Sequence, residues 1–187
     1  MDRQSRKEEV SMKSTKLMAL VLTGGFIVFW LVPASVMAAS TTVIWEDIIG
    51  IIQAGNAVGS GTGQVTGGGQ PWSTQRGSAR INLNTGQVSF FVQGLVLAGG
   101  NSIGTRDAVA EVKGTLVCDT NGSAGGGNSV LVDTELVPLD EQGDARFVGN
   151  VDNLPPECLT ERDIAFLIRT SSGAWIANGS VPKFSKF

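Results

Sequence analysis

Histidine and tyrosine are absent from this 187-residue chain, and cysteine occurs only twice. Without histidine, the commonest metal ligand is missing, and so is the base of any Ser-His or Cys-His nucleophile pair. Charged residues make up only 17% of the chain, and beyond the N-terminus no helix-length stretch is rich in Ala, Leu, Glu and Lys. With 25 glycines, this composition favours β structure over helix. No cysteine follows the N-terminal apolar run, which argues against a lipid anchor there. The glycine-rich run Gly59-Ser60-Gly61-Thr62-Gly63 is followed by no Gly-Lys-Ser/Thr and no helix pattern, so it reads as strand and turn rather than a phosphate cradle.

What is present begins with an export signal. Arg3, Arg6, Lys7, Lys13 and Lys16 form a basic start, and Leu17 to Val32 is an uncharged apolar run broken by Gly24-Gly25. Pro33 then leads to Val36-Met37-Ala38-Ala39, which places cleavage after Ala38 or one residue later, at Ala39. The alternative is an uncleaved membrane anchor, since Leu17 to Met37 is long enough to span. Met12-Lys13-Ser14-Thr15-Lys16 would itself make a compact basic start, so Met12 competes with Met1 as the first residue. The C-terminus carries neither a hydrophobic tail nor a sorting motif, and a soluble secreted or periplasmic product is expected.

Past residue 38 the chain keeps nine Lys and Arg against fourteen Asp and Glu, a formal charge of −5. That balance argues against nucleic acid as a partner, and confines any membrane contact to an uncleaved signal segment. An unidentified protein or cell-surface partner remains. Cys118 and Cys158 both lie in the exported part, and an even count in an oxidising compartment makes a Cys118–Cys158 disulfide the expected state.

Three domain segments are expected: a signal peptide over 1–38, an N-terminal arm over 39–58 and a β-sandwich domain over 59–187. In the arm, Ile44, Ile48 and Ile52 share a helical face with Trp45 and Ile49, yet β-branching and Gly50 weaken a helix. A short helix and an edge strand are both open, and so is a docking segment that pairs with a neighbour's sheet edge. The clearest element follows. Ala79, Ile81 and Leu83 alternate with Arg80, Asn82 and Asn84; Asn84-Thr85-Gly86-Gln87 turns, and Val88 to Val92 returns as β-branched and aromatic residues. Arg80, Asn82, Ser89 and Gln93 form the polar face of this hairpin. Val109 to Cys118 pairs with Ser129 to Thr134 as a second hairpin, Asp144 to Val151 alternates alone, and Asp163 to Thr170 pairs with Gly173 to Val181. The pattern is all-β: about seven strands in an antiparallel β-sandwich or small barrel.

The stretches Ala79-Arg80-Ile81-Asn82-Leu83 to Val92-Gln93-Gly94-Leu95, Phe147 to Val151, Ile164 to Gly173 and Asn178 to Val181 together resemble the chordin-type (CHRD) domain. That family's late histidine is replaced here by Arg169, so no histidine role carries over. The resemblance implies an extracellular β-sandwich module with a binding or structural role and no established catalysis.

Asp140, Glu141 and Asp144 in one turn, and Asp119 with Asn121 in another, have oxygen atoms suited to calcium but lack the residue order of an EF-hand loop. Solvated turns are the plainer reading. Glu46-Asp47, Glu111 and Glu161 with Asp163 supply carboxylates for a glycosidase pair, which needs a shared cleft. Asn121-Gly122-Ser123 and Asn178-Gly179-Ser180 fit the N-glycosylation pattern and equally the turn dipeptide Asn-Gly. No residue is assigned a catalytic, cofactor-binding or metal-binding role, and no cofactor is expected. A non-enzymatic binding or structural module is the favoured function, with a carboxylate-dependent hydrolase as the alternative.

Overall fold

The computed structural model describes residues 41–186; the signal segment and its cleavage positions, Ala38 and Ala39, lie outside them. Fifteen strands form: β1 (Thr41–Trp45), β2 (Ile48–Gly50), β3 (Ala57–Val58), β4 (Val65–Thr66), β5 (Trp72–Ser73), β6 (Arg76–Asn82), β7 (Gln87–Gln93), β8 (Val96–Leu97), β9 (Glu111–Cys118), β10 (Val130–Asp133), β11 (Val137–Pro138), β12 (Ala145–Asn150), β13 (Ala165–Thr170), β14 (Trp175–Gly179) and β15 (Lys183–Lys186). One sheet runs β12-β7-β6-β1-β15. The other runs β10-β9-β13-β14-β2, with β11 added on β9. The pairings within both sheets are antiparallel.

The two sheets close on a shared aromatic core, as a sandwich requires. Trp45 of β1 lies 5.4 Å from Phe166 of β13, ring centre to ring centre, and Phe90 of β7 lies 5.8 Å from the same ring. Alternation selects these side chains: along β6 and β7, Ala79, Ile81, Val88, Phe90 and Val92 point inward while Arg80, Ser89 and Phe91 point out. Their hairpin is the one expected from sequence, with Ala79 opposite Phe90 and Arg80 opposite Ser89. Its turn is tied by Asn82, whose Oδ1 accepts the N–H groups of Asn84 (2.9 Å) and Thr85 (3.1 Å). The β9–β10 and β13–β14 hairpins also form as expected.

Two expectations are corrected. Within the segment read as an N-terminal arm, 39–58, β1 belongs to one sheet and β2 to the other. β1 is an interior strand, Val43 pairing with Ile81 on one side and Phe184 on the other, and β2 borders β14. With both ladders of β1 filled inside the chain, it offers no free edge to a neighbour. The isoleucine spacing that mimics a helical face arises because two short strands join at Glu46-Asp47. The strand number is also higher than about seven, because β3, β4, β5, β8 and β11 are two residues long and carry no readable alternation, and β15 lies beyond the last alternating run.

The glycine-rich run is a close-packed strap. Gly61–Gly63 makes one 3-10 turn, and a Cβ on Gly63 would overlap the backbone carbonyl of Ser129. Ser60 N–H bonds Ser129 Oγ (2.8 Å), and Thr62 N–H bonds Asn128 Oδ1 (2.9 Å), so the strap is stitched to the loop after β9. Cys118 at the end of β9 is bonded to Cys158 in the one-turn helix α1 (Glu157–Thr160), with Cα atoms 4.8 Å apart and both residues buried. The 40-residue separation contains β10 and β11 of one sheet and β12 of the other. The bridge therefore closes the excursion by which the chain crosses the sandwich.

Candidate functional site

The carboxylates singled out from sequence serve the loops. Asp119 is buried with φ at +54°. Its Oδ2 accepts the N–H groups of Gly125 (2.6 Å) and Ala124 (2.9 Å), and its Oδ1 accepts the Ser123 hydroxyl (3.2 Å). Burial pushes its pKa up, but these donors outweigh it and hold the carboxyl below the ordinary value. Asn121 Oδ1 is turned to the Ser123 N–H (2.7 Å). Asp140 Oδ1 accepts from Gln142 N and Asp144 N, while Asp144 Oδ1 accepts from Gly94 N (2.9 Å). Among the described residues no three Asp, Glu or Cys side chains gather as a metal group would need.

The proposed glycosidase carboxylates are scattered. Glu46 pairs with Lys183, and Asp163 Oδ2 accepts from Asn121 N (3.1 Å) and the Thr120 hydroxyl (3.3 Å). Glu111 opens β9, whereas Asp163 lies beyond its far end, beside Cys118. By strand rise that separation is about 23 Å, well outside the range in which two carboxyls share one bond. Of the two glycosylation patterns, Asn121 is in an exposed turn and Asn178 lies within β14.

A different feature emerges on the outer face of the β12-β7-β6-β1-β15 sheet. The ladder aligns Ser78, Phe91 and Arg146 in one cross-strand row, and Ile44, Arg80, Ser89 and Val148 in the next. Arg76 lies opposite Gln93 one row further on. From strand spacing and rise, Arg76 and Arg80 stand about 14 Å apart, and each is about 12 Å from Arg146. Phe91 sits near the middle of that triangle and is 37% exposed, and Val148 beside it is 63% exposed. Arg76 Nε donates to Gln93 Oε1, while Arg80 and Arg146 enter no ion pair among the described residues. Among the described residues the acidic side chains beside this face are Glu46, held by Lys183, and Asp140 and Asp144 at the Arg76 end.

This face is grooved. A depression of about 420 Å³ lies over Arg80, Ser89, Phe91, Arg146 and Val148. It shares Arg80, Ser89 and Val148 with a second of about 250 Å³ that adds Asn82 and Gln87. At its other end it shares Phe91 and Arg146 with a third of about 610 Å³, floored by Arg76 and Gln93 and walled by Pro138, Asp140 and Asp144. The three run on as one shallow trough along β6 and β7. Glu46, Asp47, Glu111, Glu161 and Asp163 line none of it.

The opposite sheet also carries charge, but neutralises it. Lys113 bonds Asp133 Oδ2, Arg169 Nη1 lies 3.3 Å from Asp133 Oδ1, and the Thr115 hydroxyl donates to the same oxygen at 2.6 Å. Burial raises the Asp133 pKa, while Lys113, Thr115 and Arg169 together lower it below the ordinary carboxylate value.

The alternation exposed Arg80, Asn82, Ser89 and Gln93 as a polar face; Phe91, Val148, Arg76 and Arg146 were not recognised as part of it. Phe91 and Val148 could have been found as apolar residues on the polar phase of their strands. Comparison with models of protein families, with curated proteins and with solved structures finds no match to this chain.

Proposed function

We propose that this chain is an exported, non-enzymatic binding module whose working surface is the outer face of the β12-β7-β6-β1-β15 sheet. The observation that carries the reading is the trough itself, where unpaired Arg80 and Arg146 flank an exposed Phe91 and Val148 among Ser78, Ser89, Asn82 and Gln87. A large aromatic left in solvent beside unpaired guanidinium groups is the composition of a contact surface. The N-terminal signal pattern and the Cys118–Cys158 disulfide support a secreted or periplasmic setting. The resemblance to the chordin-type module, carried by residues of β6, β7, β12, β13 and β14, supports a binding or structural role.

The carboxylates expected for a hydrolase, Glu46, Asp47, Glu111, Glu161 and Asp163, line none of the trough; Asp140 and Asp144 wall one end of it. Both carboxylates are engaged by backbone N–H groups of their own turn or of Gly94, so they are better explained as loop fasteners.

The test is retention of the exported, disulfide-bonded protein on cell-surface material of its own organism. The variant carrying Arg80→Ser, Phe91→Ser and Arg146→Ser is compared with the native chain. All three side chains are exposed, so an unchanged thermal midpoint with lost retention supports the reading. Retention equal to that of the native protein rejects this face as the working surface.

A further inference from the structure

We infer that the trough on the outer sheet face takes a linear acidic polysaccharide, one bearing carboxylate or sulfate groups at intervals along a hydroxyl-rich chain. The inference rests on the binding reading above and names its ligand class. Three observations select it.

First, the site is long and open. Three depressions joined through Phe91, Arg146, Arg80 and Ser89 make a continuous track along the strands, which suits a polymer lying on a surface rather than a small molecule enclosed by it. Second, the charges are few and far apart. Arg76, Arg80 and Arg146 are spaced about 12 to 14 Å at the backbone, whereas a nucleic-acid strand presents a phosphate about every 3.4 Å. Sparse guanidinium groups match a polymer with sparse anions, each able to take a bidentate Arg contact. Third, the ground between the arginines is suited to sugar. Phe91 offers an apolar platform for the C–H face of a pyranose ring, and Ser78, Ser89, Asn82 and Gln87 offer donors and acceptors for hydroxyl groups.

Charge complementarity adds direction. The exported part carries −5 overall, yet no acidic side chain lines the two depressions around Arg80, Ser89 and Val148; Glu46 beside them pairs with Lys183, and Asp140 and Asp144 stand only at the Arg76 end. A polyanion is therefore repelled by the chain as a whole and drawn to this face, which orients its approach. An acidic peptide would add to a sheet edge through backbone hydrogen bonds, whereas the trough is centred on the side chains of β6 and β7, interior strands of the sheet, and meets an edge only at β12.

The experiment measures binding of the exported, disulfide-bonded protein to polygalacturonate, dextran sulfate, neutral dextran, polyglutamate and a single-stranded oligonucleotide. The native protein is expected to bind one or both acidic glycans, about tenfold or more tighter than the neutral dextran, and to weaken steeply from low salt to 1 M. Preference between the first two probes distinguishes carboxylate from sulfate. Arg80→Ser and Arg146→Ser should each raise Kd about tenfold, and Phe91→Ser should weaken binding to a similar degree at every salt concentration. Binding of polyglutamate or the oligonucleotide as tightly as the acidic glycans overturns the glycan inference while leaving a binding module. Failure to bind either acidic glycan also overturns it, and the cell-surface retention assay then decides separately whether the module reading survives. Undiminished glycan binding by the triple-serine variant rejects both.

Discussion

Asp119 shows how a single buried carboxylate can organise a loop without acting as a ligand. It sits where β9 ends, in a left-handed conformation that Asp tolerates better than most residues, and its oxygens collect the N–H groups that the tight 122–127 turn leaves unpaired. Its pKa lies below the ordinary 3.8 in the folded chain, so its contribution to stability is fully present above that value and is lost as pH falls through the folded value. Asp133 shifts in the same direction from the same reference value. Urea midpoints measured from pH 7 down to pH 2 should therefore drop at the acid end, and Asp119→Asn should flatten that drop because the side chain no longer titrates. An unchanged slope in the variant would assign the acid sensitivity elsewhere. Asp133→Asn, with its side chain about one-third exposed, should lower stability by less than about 1 kcal/mol, as surface ion pairs do.

Among the strands, β9 crosses the middle of its sheet, and its centre has to be nearly flat. A Cβ on Gly114 would lie 2.6 Å from Phe166 and 3.0 Å from Phe90, the two rings that join the sheets. Gly114→Val should overfill this contact and destabilise by about 1–3 kcal/mol, read as a lower urea midpoint at constant slope. A full-strength variant would mean that the aromatic pair can separate without penalty. The hairpins were legible from sequence because each is local: a run of alternation, four to eleven connecting residues and a returning run suffice. The placement of β1 between β6 and β15, and of β12 beside β7, depends on partners 34 to 145 residues away, and alternation is silent about which strand a neighbour will be. The same gap hid the candidate site, since Arg146 meets Phe91 only through the β12–β7 ladder.

In the molecule as a whole, the disulfide and the charge distribution answer different demands. The bridge closes a loop of about 40 residues that carries strands of both sheets, and loop-entropy arithmetic gives it roughly 4 kcal/mol of stabilisation. Replacing Cys118 and Cys158 together by serine should remove most of that, measured by urea unfolding beside the native protein with and without reductant. A loss below about 1 kcal/mol would mean that the reduced, unfolded chain is already constrained. The charge distribution concerns recognition: Asp119, Asp140, Asp144 and Asp163 fasten loops, Glu46 and Asp133 pair with lysine or arginine, and among the described residues the outer face of the β12-β7-β6-β1-β15 sheet retains Arg80 and Arg146 unpaired.

Local chemistry already decided a good deal along the chain. Missing histidine closes off whole classes of catalysis, period-two alternation makes strands and short turns make hairpins, and two cysteines beyond an export pattern make a disulfide the expected state. These follow from residue type and near spacing alone. The fold as a closed sandwich with β1 in its interior, the hydrogen bond from Gly94 N–H to Asp144, and the meeting of Arg80, Phe91 and Arg146 were decided by tertiary structure. Each depends on which distant strands share a ladder, and that is set by how two sheets bury their apolar faces against one another.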